Sequence, residues 1–354
     1  MQIVLDIKCS LLIISKYIGG IVKITLFLKI AFILTALIIV SCVQQDKNII
    51  LSDIVVIKYK SNENDLSRAD LLYHELKQEF FKAKIIIDEL EVSKSYKLED
   101  TVLQQVKDYK RSYVFLFTKY ELSKLNLIAL QNPKTMFIVF DDKSQEEKNL
   151  EVAENIKRIA INSSNTISNL AYVSAYWANN KESQSGKIAY LYDNNSDYSR
   201  YEKSFEKGVE NFNKDYGKNV EIIKEDIAKR ISQRQLDDAF DNMIKQNAVV
   251  YFIATEKDYF RILKKVQTMR KYACGIQTDM YYHKPEYQDT VLISEDISFK
   301  QIANDIVTAI DTGQLVLLNN LYSATGKYVK LSTFHNFDNS FSNNIKNFIM
   351  LASF

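Results

Sequence analysis

The stretch Gly186–Asp226 constrains the fold of this chain more than any other. Lys187-Ile188-Ala189-Tyr190-Leu191-Tyr192 is an apolar run that breaks off at Asp193-Asn194-Asn195-Ser196-Asp197. After the break, Tyr201, Phe205, Val209 and Phe212 recur at i, i+4, i+8 and i+11, so they lie along one stripe of a helix. Gly217 provides a helix stop, and Asn219-Val220-Glu221-Ile222-Ile223 begins a second strand. A strand–helix–strand unit of this length makes a parallel connection, and parallel sheets need helices on both faces. Ligands of such sheets bind outside the carboxyl ends of the strands. The polar loop Asp193–Asp197 is therefore an expected site, with Asp193 and Asn194 as its polar candidates.

The same pattern repeats along the chain. Strands are expected at 52–59, 84–87, 113–117 and 136–140, alternating with helices at 67–81, 98–109 and 122–130. A link at 158–185, with a helix at 166–177, leads to the organising unit. Helices at 232–245, 259–270 and 300–310 then alternate with strands at 248–254, 273–277 and 291–293. Late strands at 315–318 and 328–331 and a closing helix at 343–352 complete the reading. It predicts an α/β protein of two lobes, parallel sheets flanked by helices, with the chain crossing more than once around an inter-lobe cleft. That is a periplasmic-binding-protein-like architecture of type I, which closes by hinge motion. The expected boundaries are 51–163 plus about 312–354 for the N-lobe and 164–311 for the C-lobe.

The beginning of the chain reads differently. Lys23 and Lys29 precede the apolar run Ile30–Val40, the layout of a secretory signal. Ile39-Val40-Ser41-Cys42 resembles a bacterial lipobox, which implies a leader at 1–41, lipidation (palmitate) at Cys42 and a polar tether at 42–50. Residues 1–22 form a second apolar stretch that the signal does not need and read as an over-extended start. The competing reading is a transmembrane anchor, since the run can be stretched to about 20 residues. Either way the expected location is the cell envelope, membrane-anchored, on the periplasmic face or the cell surface. Of 3 cysteines, Cys9 precedes cleavage and Cys42 carries lipid, leaving Cys274 alone in an apolar run as a buried thiol.

Composition excludes several function classes. A net charge of +2 over 354 residues gives no electrostatic footprint for nucleic acid. The 3 histidines, His74, His283 and His335, have no zinc spacing, and no metal or cofactor is expected. No Walker loop, G-x-G-x-x-G or G-x-S-x-G occurs, so nothing nominates an enzyme. Only 8 glycines are available, few for a chain whose loops must approach a ligand closely.

Six passages in order resemble the basic membrane protein family, bacterial lipoproteins related to purine-nucleoside-binding proteins of ABC importers. They are Ala129–Asp141 with its Asn132-Pro133, Leu170-Ala171 with Ala175, Gly186–Ala189, Phe205-Glu206-Lys207-Gly208, Gly275–Asp279 and Val291–Ser294. The resemblance implies capture of a small, nucleoside-like ligand in the inter-lobe cleft and partnership with an ABC permease. Within that cleft the candidate ligand contacts are Asp65, Ser67, Arg68, Asp193, Asn194, Phe205, Gln277 and Asp279, for that ligand or a different small molecule. The binding loops depart from the family pattern. Arg68 stands where an aromatic would stack on the base, and Gln277 where an aspartate would grip the ribose. The paired glycines after the central strand are replaced by Tyr192–Asn195. Gln277 can still accept and donate, but a carboxylate accepts from both hydroxyls of a diol. A second function class is therefore expected beside the first: a degenerate, non-transporting surface lipoprotein that touches proteins or host matrix. A cleft blocked by Tyr172 or Arg68, beside an exposed apolar patch, marks that alternative.

Overall fold

Hydrophobic strands that are apolar on both faces must be covered on both, and the chain meets that demand twice. The structure is a computed structural model. It describes residues 52–352 apart from 61, 94–95, 118–119, 141–151, 181–184, 195, 228–232, 315–321, 324–326, 336 and 338–341. The leader, the tether and Cys42 lie outside the described residues, as does the expected strand at 315–318.

In the first lobe, β1 (Ile54–Tyr59), β2 (Ile87–Val92), β3 (Tyr113–Phe117), β4 (Met136–Phe140) and β5 (Ile156–Ile159) form one sheet in the order β2-β1-β3-β4-β5. All four pairings are parallel. On one face Val55, Ile57, Val114 and Leu116 pack with α2 (Tyr96–Lys107) and α3 (Leu122–Gln131). On the other, Ile54, Val56 and Phe115 pack with α1 (Arg68–Lys82). The alternation along β1 assigns its residues to the two cores in turn.

The second lobe holds β7 (Lys187–Tyr192), β8 (Glu221–Asp226), β9 (Val250–Ala254), β10 (Tyr272–Gly275), β11 (Val291–Ile297) and β13 (Val329–Leu331), in the order β13-β11-β10-β9-β7-β8. Only the β11–β13 pair is antiparallel among these. The helices α4 (Ser164–Asn180), α5 (Glu202–Tyr216), α6 (Gln233–Lys245) and α7 (Tyr259–Thr268) belong to this lobe. The stripe read from the sequence is buried as expected: Tyr201, Phe205, Val209 and Phe212 all lie in the core. Gly208 sits beside that stripe for a steric reason. A Cβ there would lie 2.0 Å from the Ser168 carbonyl oxygen on α4.

The expected lobe boundaries need correction. Helix α9 (Phe299–Asp311) packs its Phe299, Ile302 and Ile306 into the first lobe's core with Leu72 and Leu76 of α1. The chain then returns: β13 joins the second sheet, and α10 (Asn343–Ala352) packs on α4 through Phe348 stacked 4.3 Å from Tyr172. The residues near 300–311 thus belong to the first lobe and those from 329 on to the second. Amphipathicity marked each helix without saying which sheet it would cover. The short strands β6 (Ile161–Asn162) and β12 (Tyr322–Ser323), paired in parallel, lie along the crossings.

Few glycines leave their mark on the helix ends. Lys84, Lys110, Asn247 and Arg270 follow helices with φ of 59°, 52°, 67° and 53°. This is the left-handed region in which helices commonly stop and which glycine usually fills. Two further residues share it, Asp258 (φ 54°) and Gln277 (φ 70°), and both lie where the lobes meet.

Candidate functional site

The loop after β1 docks on the loops that follow β9 and β10 in the second lobe, and the contact between them forms one seam. Leu66 N–H donates to the Glu256 carbonyl at 2.8 Å, and Phe260 N–H donates to Asn64 O at 3.1 Å. The Asp258 N–H donates to Asp65 Oδ1 at 2.9 Å. Leu66, a first-lobe residue, is buried in the second lobe's core cluster. Ser67 caps α1 by accepting from Asp70 N–H, which starts the helix where Arg68 faces the other lobe.

Arg68 is the centre of the seam. It is 1% exposed, and its guanidinium lies 3.3 Å from Glu295 Oε1, itself 0% exposed. Nη2 also donates to Ser163 Oγ at 2.8 Å and to the Tyr198 hydroxyl at 2.8 Å, while Nη1 reaches the Tyr201 hydroxyl at 3.3 Å. The guanidinium carbon sits 4.5 Å from the Tyr198 ring centroid, a cation–π distance. Tyr198 donates its proton to Glu295 Oε2 at 2.6 Å. Burial first, then Glu295, push the Tyr198 phenol well above its ordinary value, against the pull of Arg68, so it stays a donor. The Tyr201 hydroxyl accepts from Ser163 N–H and faces the Ile161 carbonyl, which ties the constellation to the crossing strand β6.

Glu295 also accepts the Gln277 N–H at 3.0 Å. The Gln277 side chain donates to the Leu66 carbonyl at 2.9 Å and to Glu256 Oε1 at 2.8 Å, while its own amide oxygen has no partner. A buried acceptor without a donor costs about 1–3 kcal/mol. A non-glycine residue held at positive φ adds strain of the same order. Both sit on one residue, in the middle of the seam.

Of the candidates read from the sequence, the structure brings Asp65, Ser67, Arg68 and Gln277 together here. Three others belong elsewhere. Phe205 is wholly buried 4.7 Å from Phe252 and 5.1 Å from Tyr190 in the second core, where its stripe position put it, so it is a packing residue. Asn194 is exposed and donates to Asp226 at 3.0 Å along the sheet edge. Asp279 caps the one-turn α8 (Met280–His283) through Tyr281 N–H and meets His335 Nε2 at 2.9 Å. The Asp193 carbonyl closes the turn at Ser196 that leads into Tyr198 and Tyr201. Tyr172 does not block the seam, because its ring is held by Phe212 and Phe348 and its hydroxyl by Asp215.

Sequence reasoning missed Glu295, Tyr198, Tyr201, Ser163 and Glu256. Only Glu295 left a signal: a carboxylate continuing the apolar run Val291–Ser294 requires a buried partner. Two open grooves flank the seam beside α1. One of about 380 Å³ is lined by Asp65, Tyr73, His74 and Phe260, and one of about 990 Å³ by His74, Glu79, Thr278 and Phe299. Among the described residues no group of side chains is arranged to hold a metal ion. None of their helices is long and apolar enough to cross a membrane. Cys274 is buried as expected, and burial pushes its thiol up to about 12.

No family model matches the chain, and no curated protein does. Solved structures do. A solute-binding protein of an ABC transporter system from Aeropyrum pernix superposes with a TM-score of 0.64 at 15% identity, over 79% of this chain and 76% of that one. A transcriptional activator of the comK gene from Bacillus halodurans gives 0.62 at 14% identity, over 85% and 96%. A carbohydrate-transporter solute-binding protein from Agrobacterium radiobacter, in complex with D-arabinose, gives 0.52 at 11% identity, over 85% and 100%. The fold is thus the two-lobed α/β fold of type I periplasmic-binding-protein-like proteins, shared by transporter components and regulators. At these identities the likeness concerns the fold alone.

Proposed function

We propose that this chain is a lipid-anchored envelope protein that captures a small solute between its two lobes for an ABC-type importer, without catalysing a reaction. The observation that carries the reading is the buried polar constellation in the seam. It is built from the first lobe (Arg68), the crossing (Ser163) and the second lobe (Tyr198, Gln277, Glu295). Polar groups converging between two hinged lobes are what capture of a small polar molecule requires. The solute-binding proteins among the structural neighbours support the same role. The lipid anchor rests on Cys42 and the residues before it.

A nucleoside-like solute is the finer reading and rests on the resemblance. Gln277 and Arg68 count against it, since both are engaged with protein groups where a ribose and a base would need them. The second function class, a non-transporting surface lipoprotein, is favoured by the same engagement of Arg68 and by exposed Phe81 and Ile86, at 83% and 67%.

Thermal unfolding of the detergent-solubilised full chain against nucleosides, bases and sugars separates the two. A solute at a hundred times its dissociation constant stabilises by about 2.7 kcal/mol, a shift of a few degrees for a protein of this size. A shift with one compound class supports capture. A flat response across all classes supports the surface lipoprotein.

A further inference from the structure

We infer that the seam is a site for a planar cation, a guanidinium or amidinium group, which Arg68 fills as a tethered stand-in. This rests on the solute-capture reading and names its substrate class. The guanidinium is received as a ligand would be. A carboxylate, two phenols and a serine hydroxyl from other elements surround it, and one phenol ring lies against its face. None of those groups is on α1. Gln277, whose backbone N–H also lies on Glu295, is 0% exposed and its amide oxygen lacks a donor, a further acceptor in the seam.

Charge decides which solutes can replace Arg68. A solute that pairs with Glu295 in the seam must displace the guanidinium, because the carboxylate is fully buried with Arg68 on one oxygen and Tyr198 on the other. A neutral solute would leave that carboxylate buried and unpaired, the arrangement that breaking a buried ion pair makes so unfavourable. A cation restores the pair. A planar, donor-rich cation also restores the fork of hydrogen bonds and the face-on contact with Tyr198, which an ammonium cannot reproduce in full.

The test uses full-length protein in detergent micelles, unfolded thermally at constant ionic strength with low-millimolar ethylguanidinium or its neutral isostere ethylurea. Arg68→Ala should unfold several degrees below wild type and regain a few degrees with ethylguanidinium but not ethylurea. Wild type, self-occupied, should respond to neither at these concentrations. Adding Glu295→Gln to Arg68→Ala should abolish the preference for the cation. A folded Arg68→Ala protein that answers both compounds alike, or neither, overturns the inference. Should Arg68→Ala lack a cooperative transition, the double variant carries the test, since it has no uncompensated charge. There ethylurea should stabilise at least as well as ethylguanidinium, and a surviving cation preference would place the binding elsewhere and sink the idea. Nucleosides or sugars stabilising Arg68→Ala would leave solute capture standing and remove only the cationic class. No response to any solute in either protein would remove both.

Discussion

Asp296 shows how neighbouring residues on one strand divide into paired and strained charges. Its neighbour Glu295 is matched by Arg68, whereas Asp296 is half-buried with only partial compensation. Burial holds its carboxyl above the ordinary value of 3.8, with Asp279 and Glu295 adding to the rise and Lys330 opposing it. A carboxyl that binds its proton more tightly in the folded protein stabilises the fold only while protonated. That contribution fades as pH rises from the ordinary carboxylate value through the raised one, and at neutral pH the charge is a penalty. Asp296→Asn should therefore raise Tm at pH 7, with the gain vanishing below about pH 4. An equal gain at both pH values would show that the charge is not the cause. At this scale the sequence identified Arg68 and Gln277 as departures from a family pattern. It could not show that each had been taken up by distant protein partners, Arg68 by Ser163 and Gln277 by Leu66, because such pairings depend on how the lobes close.

Helix α5 was legible almost residue by residue, and its packing explains why. Its stripe has a single period, a glycine inside it and a glycine after it, and Gly217 adopts the left-handed cap at φ 58° that the stop signal implied. Gly208 has the more specific duty, since α5 crosses α4 where only a hydrogen fits. Gly208→Ala should destabilise the protein by about 1–3 kcal/mol, the usual cost of overpacking, despite alanine's better helix propensity. Chemical denaturation reads the outcome, and an unchanged midpoint would mean the helices part easily. Helix α9 was legible in type and phase but not in destination. Its apolar face suits either lobe, and the cover it provides for α1 is a property of the assembled first lobe.

At the scale of the whole molecule, Gln277 behaves as a strut between the lobes. Its side chain holds the Leu66 carbonyl and Glu256, and its backbone occupies a conformation that glycine adopts without strain. Gln277→Gly should keep the fold and change stability little, because relieved strain offsets the lost hydrogen bonds. It should also free the loop at 62–68, so that X-ray scattering reports a larger radius of gyration. An unchanged radius would mean that the seam is held without the strut.

The pattern of apolar runs determined by itself that the chain builds two parallel sheets with helical cover, because a period of 2 or 3.6 is written locally. With only 8 glycines in the chain, left-handed positions fall to other residues, such as Asn247 and Gln277. Tertiary structure alone decided which lobe α9 and β13 joined, and that Arg68 serves the seam. Burial of a charge depends on the groups that surround it from every side, and Ser163, Tyr198 and Glu295 reach Arg68 only once both lobes have folded and closed.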